Sequence, residues 1–598
     1  MMKRKSLIIF LLFLLSYPCF SQAVDYVKEM ENSDLQIRQK PDSERLLSEF
    51  LGRVGMEEDT VYAILYRPSY CYRCEFAIPT FYEDLKRNNP NNKMLLITAY
   101  RDSVAARGYN EKNNFKADYH LYDTTEEYSK IFSFTTGNML GLYQLKLCPK
   151  SGVLITGGQC TLFGKDFIRQ LVARSERLEP RLFPVDSLNQ AEAKTQEPVF
   201  NLKPYPWKTK DTRVELNEGS FVSSVYYNPK IENNHFFFTD MLNNGVMLFG
   251  KTDKGFKYRT LIQANEAEKR RFIAIPDSFF DRFTREGSVF YIALTANMID
   301  DKHIGISYSL PQIEEEEGKK FHFAFYNAPV MLVRDIDNLQ AEEMIVPDFN
   351  LEASKYFYTH FTFDVFNNKL WYECQKLTWP HGFEKEDIAG NTEMDPFDNG
   401  FYNTFNPIMA SFDISSGKRT ELYGKLEDCQ RISNTGYYFL NTVFTHHGKD
   451  MLYGNGYTGK LYLADSLNIG RNEKEYKVFD VDLSAFPAPD TTKFYMEEYG
   501  GLYHPHFTRC ITLVRMNAKE IYCLLKYGVP RHTDPQNERY AFVTINRKSG
   551  KTTERTLPAL PEGTRCLGYG IRNEHDCFNP FVFIQEGSDY KVRDFISK

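Results

Sequence analysis

The stretch that decides the fold of the N-terminal third is Val61-Tyr62-Ala63-Ile64-Leu65-Tyr66-Arg67-Pro68-Ser69-Tyr70-Cys71-Tyr72-Arg73-Cys74. Its first six residues are apolar or aromatic and predict a short buried strand. Good helix formers with helical spacing of apolar residues run from Phe76 to Leu85 and predict a helix. The cysteine pair therefore stands between a strand and a helix, which is the setting of a redox Cys-x-x-Cys sequence.

The chemistry of this pair follows from its position at the start of a helix. A helix N-terminus stabilises a thiolate in its first turn, and Arg73 adds a positive charge next to it. Two spacer residues allow Cys74 to reach back and resolve a mixed disulfide formed by Cys71. The alternative is half of a zinc site, which needs a second cysteine pair or a His-x-x-x-His sequence, and the chain contains neither.

Strand-like and helix-like segments alternate around the pair. This alternation, with a glycine-centred hairpin signal near its end, predicts an α/β layer structure. We predict strands at Met94–Tyr100, Tyr119–Tyr122, Gly152–Thr156 and Gln159–Phe163, and helices at Glu126–Phe132 and Asp166–Arg177.

From Thr60 to Arg177 the chain resembles the thioredoxin superfamily, especially its exported thiol–disulfide oxidoreductases. Tyr70 stands where that family usually has tryptophan, and Pro79 follows Cys74 at the spacing of the family's helix proline. The segment Asp118–Phe132 resembles the family's inserted strand and helix. Cys148-Pro149, just before the predicted Gly152 strand, matches the place of the family's cis-proline.

The resemblance implies roles for the matching residues. Cys71 would attack as a thiolate, Cys74 would resolve, and Pro149 would lie against the pair and position the substrate chain. The resemblance also makes Cys148, Arg73 and Tyr70 accessory candidates, and it implies no bound cofactor or metal.

Two departures from the family bear on activity. Leu65 stands where thioredoxin has a buried aspartate that helps to move protons. Cys148 precedes the presumed cis-proline, and we leave three interpretations open: a small packed residue, a third redox thiol, or a three-thiolate metal site with the pair. Resemblance to peroxiredoxins is weaker, because Pro68 stands where they have Thr or Ser.

The first residues predict export. Three cationic residues precede the apolar segment Ser6–Tyr17, and Ser21-Gln22-Ala23 offers a cleavage site, as in a secretory signal peptide over residues 1–23. Pro18 before Cys19 argues against a lipoprotein. We expect a periplasmic or extracellular protein with no membrane span after cleavage.

Beyond a polar, proline-dotted linker at residues 179–207, strand-rich hairpins repeat to the end of the chain. Units of this size and strand number predict a six-bladed β-propeller over residues 208–598. The last unit lacks a fourth strand, which Arg213–Leu216 would supply. Two smaller β-domains are the alternative. The hairpins are predicted at Phe221–Tyr227 with His235–Thr239, Phe272–Ile275 with Val289–Leu294, Tyr358–Phe366 with Leu370–Cys374, Tyr437–Phe444 with Met451–Gly454, His506–Val514 with Ile521–Leu525, and Arg565–Ile571 with Phe581–Ile584.

Composition narrows the function without naming it. Aromatic residues make up 15% of the 598 residues, which favours sheet, and a net charge of −6 without a basic stripe argues against nucleic acid. His504 and His506 lack a third ligand nearby, and we interpret the adjacent His446 and His447 as a hairpin turn. The scattered C-terminal cysteines are expected to pack as small hydrophobes.

These observations predict a multidomain chain, with a thioredoxin-like domain at residues 24–178 followed by the propeller. The whole resembles exported proteins of Bacteroidetes-type bacteria that join these two parts. We expect an exported thiol–disulfide oxidoreductase that uses the cysteine pair, with a propeller that docks a protein partner or substrate. The alternative is a non-enzymatic propeller binding protein whose thioredoxin-like domain is vestigial.

Overall fold

The fold is mostly β and divides into a small N-terminal sheet and a large set of propeller-like sheets. The computed structural model describes, with short internal gaps, residues 61–66, 78–124, 142–148, 152–155, 205–268, 292–310, 328–347, 356–376, 399–436, 440–465, 472–483, 510–527 and 539–597. The predicted signal peptide, most of the linker, and the predicted elements at 126–132 and 159–177 lie outside the described residues.

The N-terminal sheet has five strands in the order β3-β2-β1-β4-β5. Strands β1, β2 and β3 are parallel, whereas β4 runs antiparallel to β1 and to β5. Three of the four predicted strands in this region are therefore confirmed, and Gln159–Phe163 lies outside the described residues. The bounds are Val61–Tyr66 for β1, Lys93–Ala99 for β2, Tyr119–Asp123 for β3, Leu142–Cys148 for β4 and Gly152–Ile155 for β5.

Two helical segments connect the parallel strands. The described residues between 78 and 87 are helical, as predicted, and bury Ile78 and Leu85. A second helix, Ser103–Lys112, was not predicted. Asp102 caps it by accepting hydrogen bonds from the backbone N–H groups of Val104 and Ala105, as an N-cap aspartate does.

Strand β4 was not predicted, and Cys148 is its last residue. Cys148-Pro149 stands just before β5, as the sequence analysis placed it. Tyr66 pairs with Leu142 and Val61 pairs with Leu147, so Cys148 lies at the end of the sheet where β1 begins. The cysteine pair follows the other end of β1.

Four propeller-like sheets each contain four antiparallel strands that follow one another in the chain. Short turns join the first two strands of each of these sheets. In the second sheet the turn is the two residues Asn367 and Asn368, which both adopt the positive φ that a tight hairpin requires. The strands are Ile292–Met298, His303–Leu310, Ala328–Asp335 and Ala341–Ile345; Phe363–Phe366, Lys369–Glu373, Met409–Asp413 and Arg419–Tyr423; Thr442–His447, Asp450–Asn455, Lys460–Ala464 and Lys477–Asp480; Cys510–Met516, Glu520–Tyr527, Arg539–Asn546 and Thr552–Thr556.

The remaining long strands form one closed set of eight. It consists of two antiparallel halves of four strands, joined by two short parallel contacts, one of which is the single pair Arg572 and Ile231. The first half is Val225–Glu232, His235–Asp240, Gly245–Thr252 and Gly255–Ile262; the second is Thr564–Glu574, Cys577–Glu586, Asp589–Ile596 and Lys208–Glu215.

The predicted closure by an N-terminal strand is confirmed. Strand Lys208–Glu215 pairs antiparallel with Asp589–Ile596, and Val214 lies opposite Tyr590. The Arg593 guanidinium binds both carboxylate oxygens of Asp211 at 2.7 Å. The two ends of this region are thereby held in one sheet.

One predicted hairpin was wrong. The segment Val289–Leu294 was expected to be a second strand, but Ile292–Met298 is the first strand of its sheet and pairs with His303–Leu310. The first apolar run in this stretch, Phe272–Ile275, lies outside the described residues. The sequence pattern identified a strand here but not its place in the hairpin.

Few other elements occur in the described part of the chain, and no helix there is long and apolar enough to cross a membrane. The short ones are the two-residue strand pairs Tyr356–Phe357 with Gln375–Lys376 and Arg431–Ile432 with Thr435–Gly436, and the helical turns Asn399–Asn403, Glu427–Gln430 and Glu473–Glu475.

Candidate functional site

Most of the sequence-predicted site residues lie outside the described ranges. These are Tyr70, Cys71, Arg73, Cys74 and Pro149, and their roles stay predictions. Of Cys148 the structure describes the backbone, at the end of β4.

The described residues do fix the end of β1 from which the chain continues to Cys71. Tyr66, the last residue of β1, is buried, and its hydroxyl donates a hydrogen bond to Oδ1 of Asn110. Asn110 in turn donates from Nδ2 to Thr98 Oγ1 at 3.0 Å. A buried polar network of this kind rigidifies its surroundings because every member is held by a partner.

The C-terminal cysteines bear out the packing interpretation where they are buried. Cys374, Cys429 and Cys523 are unpaired and buried, and burial raises the pKa of each thiol. Within the described part of the chain, no group of three or more His, Cys, Asp or Glu side chains could hold a metal ion. The three-thiolate alternative involves residues outside it.

The N-terminal sheet and the propeller-like sheets share a core. Phe221 and Leu242, from the segments flanking strands Val225–Glu232 and His235–Asp240, pack in the same apolar cluster as Tyr66 and Tyr109. The helix Ser103–Lys112 approaches so closely that a Cβ on Gly108 would lie 2.5 Å from the Phe221 ring.

A partly buried ion pair reinforces this contact. Arg565 donates from Nη1 to Asp102 Oδ2 at 2.7 Å, and it also donates to the carbonyl of Ser223. The Asp102 side chain is 4% exposed and the Arg565 side chain is 24% exposed, so the carboxylate is shielded from water while the arginine is partly hydrated. Every one of these contacts lies where first strands of the sheets begin; we call this the loop end.

One central cavity of about 270 Å³ is lined by the first strand of each of the four propeller-like sheets and by the first strand of each half of the closed set. We call these first strands the inner strands: Val225–Glu232, Ile292–Met298, Phe363–Phe366, Thr442–His447, Cys510–Met516 and Thr564–Glu574. The cavity reaches the turns that follow these strands, such as Asn233, Gly448 and Asp576; we call this the turn end. It lies opposite the N-terminal sheet.

Lys230 is the most deeply buried charged group of the cavity wall. Its ammonium group donates to the carbonyl of Ala296, to Asn297 Oδ1, and to Thr295 Oγ1 at 3.4 Å. Burial, reinforced by the charge of Arg515, lowers the pKa of Lys230 to about 7. Lys230 thereby ties the first inner strand to the second.

Two ion pairs cross between other inner strands. Arg515 donates to Glu232 Oε1 at 3.0 Å, and Nδ1 of His446 lies 2.7 Å from Asp364 Oδ2. Burial acts to lower the pKa of His446, but the Asp364 carboxylate outweighs burial and raises it. Burial acts to raise the pKa of Asp364, but His446 and Arg515 lower it.

His446 is held in one orientation. Its ring stacks on Phe366 with centroids 4.4 Å apart, and Asp364 fixes its Nδ1. A carboxylate on one ring nitrogen sets the tautomer and leaves the other nitrogen for a ligand or substrate. The interpretation of His446 and His447 as a turn was wrong: both end an inner strand, and the turn follows at 448–449.

The loop end of the cavity is narrowed by Tyr227. Its hydroxyl accepts a hydrogen bond from Thr362 at 2.8 Å, which links inner strands of different sheets. The register is shifted between Tyr226 and Lys230, and Tyr227 has a φ of +76°. Positive φ is a strained state for an aromatic residue, and such strain is concentrated at functional sites.

No protein-family model matches the chain, and no curated protein matches it. Among solved structures, a secreted Mycobacterium tuberculosis disulfide oxidoreductase homologous to E. coli DsbE is 14% identical, over 19% of this chain and 80% of that one, with a TM-score of 0.16. A mannose phosphorylase from Leishmania mexicana in complex with a phosphate ion is 9% identical, over 66% of this chain and 89% of that one (TM-score 0.24).

A GH43 endo-arabinanase from Bacillus licheniformis is 12% identical, over 63% of this chain and 95% of that one, with a TM-score of 0.23. TM-scores this low carry no argument about fold or activity, so the function has to be argued from the residues themselves.

Proposed function

We propose that this chain is an exported thiol–disulfide oxidoreductase, in which a thioredoxin-like domain with the Cys71–Cys74 dithiol is docked on a six-bladed propeller. The observation that carries the proposal is the structure described on either side of the pair. In the chain, Cys71 and Cys74 stand between Tyr66, which ends the central strand β1, and the helical residues that bury Ile78 and Leu85.

The strand order supports the thioredoxin-like assignment. Strands β1, β2 and β3 are parallel, β1 is the central strand of the five, and β4 runs antiparallel to both β1 and β5. A mixed sheet of this order is expected for a thioredoxin-like domain. The described strand Tyr119–Asp123 lies at the edge of the sheet beside β2, in the segment that resembles the family's inserted strand and helix.

The pairing pattern supports six blades. The closed set of eight strands divides into two antiparallel halves of four, and each half then resembles the four separate sheets. Its parallel contacts are brief: Gly255–Lys257 beside Arg213–Glu215, and one further pair. Six inner strands around one cavity also fit a propeller, whose sheets pack radially around a channel.

The loop end supports a role in docking a protein partner. The N-terminal sheet contacts this end, and the long connections 311–327, 481–509 and 528–538 join strands at the same end. Loops on a rigid scaffold are the usual carriers of binding residues. A substrate held by these connections would be on the side of the molecule that carries the dithiol domain.

The chemistry is assigned to Cys71 and Cys74 alone. Cys148 ends β4 beside the beginning of β1, whereas the pair follows the other end of β1 in the chain. The proposal therefore gives Cys148 no step in the reaction, and the role of Pro149 in positioning the substrate stays a prediction.

The test is disulfide reduction by the full-length chain, with insulin as substrate and dithiothreitol as the electron donor. The Cys71→Ser variant is compared with Cys577→Ser, which removes an exposed unpaired cysteine of the propeller region. We expect Cys71→Ser to reduce insulin at the background rate, because the attacking thiolate is lost, and Cys577→Ser to retain the wild-type rate. Equal rates for the two variants would refute the proposal.

The second candidate is a non-enzymatic binding protein, favoured by the charged cavity between the inner strands. It predicts that the chain binds a ligand at the cavity while Cys71→Ser changes no measurable property. The insulin assay separates the two candidates.

A further inference from the structure

We propose that the central cavity is a binding site for a carboxylate, held by His446 and Arg515 and admitted at the turn end. This site is independent of the dithiol and does not rest on the proposed oxidoreductase activity. The argument starts from the hydrogen-bonding groups that the cavity wall leaves unused.

His446 and Arg515 each keep a donor after their structural contacts are made. Asp364 engages Nδ1 of His446, while Nε2 makes no hydrogen bond to any residue that the structure describes. Arg515 uses Nη2 for Glu232 and Nη1 for the carbonyl of Val514, and its Nε has no acceptor among the described residues. Both side chains line the cavity.

The orientation of these donors is set in advance. Phe366 stacks on one face of the His446 ring, and Asp364 holds the ring at Nδ1. Glu232 similarly anchors the Arg515 guanidinium, and both side chains of this pair are about one-seventh exposed, at 14% and 15%. Donors fixed before binding lose little entropy when a ligand arrives.

The charged groups of the cavity are paired except for Lys230. Arg515 lies beside Glu232 and His446 lies beside Asp364. Lys230 makes no hydrogen bond to a carboxylate among the described residues and gains positive charge as the pH falls toward and below about 7. A bound carboxylate would supply the missing negative charge.

Asp300, His447 and Asp576 line the cavity at the turn end. Asp300 is paired with His303, and both aspartates are exposed. Solvent therefore screens the charges of these two aspartates.

A further hydrogen-bond acceptor in the cavity wall indicates that the ligand also carries a donor. Oδ1 of Asn573 is buried at the cavity wall and has no hydrogen-bond partner among the described residues. A buried acceptor without a donor costs free energy, and a ligand that supplies the donor recovers it. A carboxylate with an amide N–H or a hydroxyl nearby would satisfy Asn573 as well as the two cations.

The cavity volume limits the ligand to a small molecule or the end of a chain. About 270 Å³ lies just below the usual range for ligand pockets. The bonded pair of Tyr227 and Thr362 stands at the loop end, so entry is assigned to the turn end. Two sources supply the same chemistry: a free small acid, or the C-terminal carboxylate of a peptide.

The experiment is calorimetric titration of the full-length chain with three probes. They are acetate, an N-acetylated alanine tripeptide with a free carboxylate, and the same tripeptide as its C-terminal amide. We expect saturable binding of at least one carboxylate probe, and none of the amide. Binding of acetate alone assigns a small acid, and tighter binding of the tripeptide assigns a peptide terminus.

The matched variants are His446→Gln and His303→Gln. Both histidines pair with an aspartate, but His303 does not line the cavity. We expect His446→Gln to weaken binding at least ~10-fold, the usual effect of losing one charge-assisted hydrogen bond, and His303→Gln to leave it unchanged. Arg515→Gln is the second variant, with the same expected loss, in case His446→Gln folds poorly.

The pH dependence of carboxylate affinity distinguishes a binding role of His446 from a purely structural one. The charged imidazole binds the carboxylate, and Lys230 also gains charge in the same pH range. Wild-type affinity should therefore rise as the pH falls from about 8 to about 6, and His446→Gln should lose the part of that rise that the imidazole contributes. The proposal is overturned if neither carboxylate probe binds at millimolar concentration, if the amide binds as tightly as the acid, or if the two histidine variants bind alike.

Discussion

The loop end and the turn end of the propeller-like sheets are built from the same strands and differ in what they carry. At the loop end the chain makes long connections and packs the N-terminal sheet through Phe221 and Arg565. At the turn end it reverses within a few residues, and charged side chains surround a cavity. Short turns hold the inner strands in register, which fixes the cavity, whereas the N-terminal sheet packs against the other end.

The largest effect is expected from breaking the scaffold that both ends share. Phe236 is fully buried and packs on Phe249 and Phe256 of its own half-sheet and on Phe583 of the other, with centroids 4.9–5.4 Å apart. Phe236→Ala should lower the free energy of unfolding by about 3–5 kcal/mol, measured by urea denaturation.

Its control is Phe236→Leu, which keeps most of the buried volume and should cost distinctly less. If the two variants are equally stable, the packing of Phe236 on Phe583 does not stabilise the contact between the two halves of the closed set.

A smaller effect, confined to the loop end, is expected from Arg565→Met. The change leaves the buried Asp102 carboxylate without its countercharge, and should weaken the contact between helix and sheets by about 2–4 kcal/mol. Hydrogen exchange of the amides in Ser103–Lys112 should accelerate, while the inner strands keep their protection.

Arg259→Met is the matched control, because its partner Asp337 is 76% exposed and such pairs contribute little. Equal exchange in the helix for both variants would show that the ion pair does not hold the N-terminal sheet in place.

The smallest effect is expected at the turn end, from the titration of Lys230. Its folded pKa of about 7 lies below the unfolded value, so the unfolded chain binds more protons between these two values. Stability contributed by this group should therefore rise as the pH increases from about 7 to about 10.

Lys230→Met should flatten this rise, and it should cost about 1–3 kcal/mol because Ala296 and Asn297 lose their donor. Urea denaturation across the pH range checks both effects. A variant with the same pH slope as the wild type would show that Lys230 is charged in the folded chain at neutral pH.

Local sequence patterns predicted the repeated strands well. Alternating apolar residues located most inner strands to within a few residues, and the closing strand Lys208–Glu215 followed from counting strands in the last unit. Strand β4 was missed although Tyr143, Leu145 and Leu147 alternate with Gln144 and Lys146, a usable signal.

The cavity could not be predicted in the same way. Lys230, Asp364, His446 and Arg515 are far apart in the chain, and the closure of the ring alone brings them together. His446 drew attention in the sequence as one of two adjacent histidines, but its aspartate lies in another sheet. No local spacing encodes such a pair.

The most direct test of the central claim is a redox titration of the Cys71–Cys74 pair in the full-length chain. The protein is equilibrated with glutathione buffers, alkylated, and analysed by peptide mass. We predict that both cysteines convert together between the dithiol and one disulfide. The fraction oxidised should follow a two-electron transition, in which a tenfold change in the equilibrium constant corresponds to about 30 mV. Cysteines that titrate separately, or never form a common disulfide, would contradict the account.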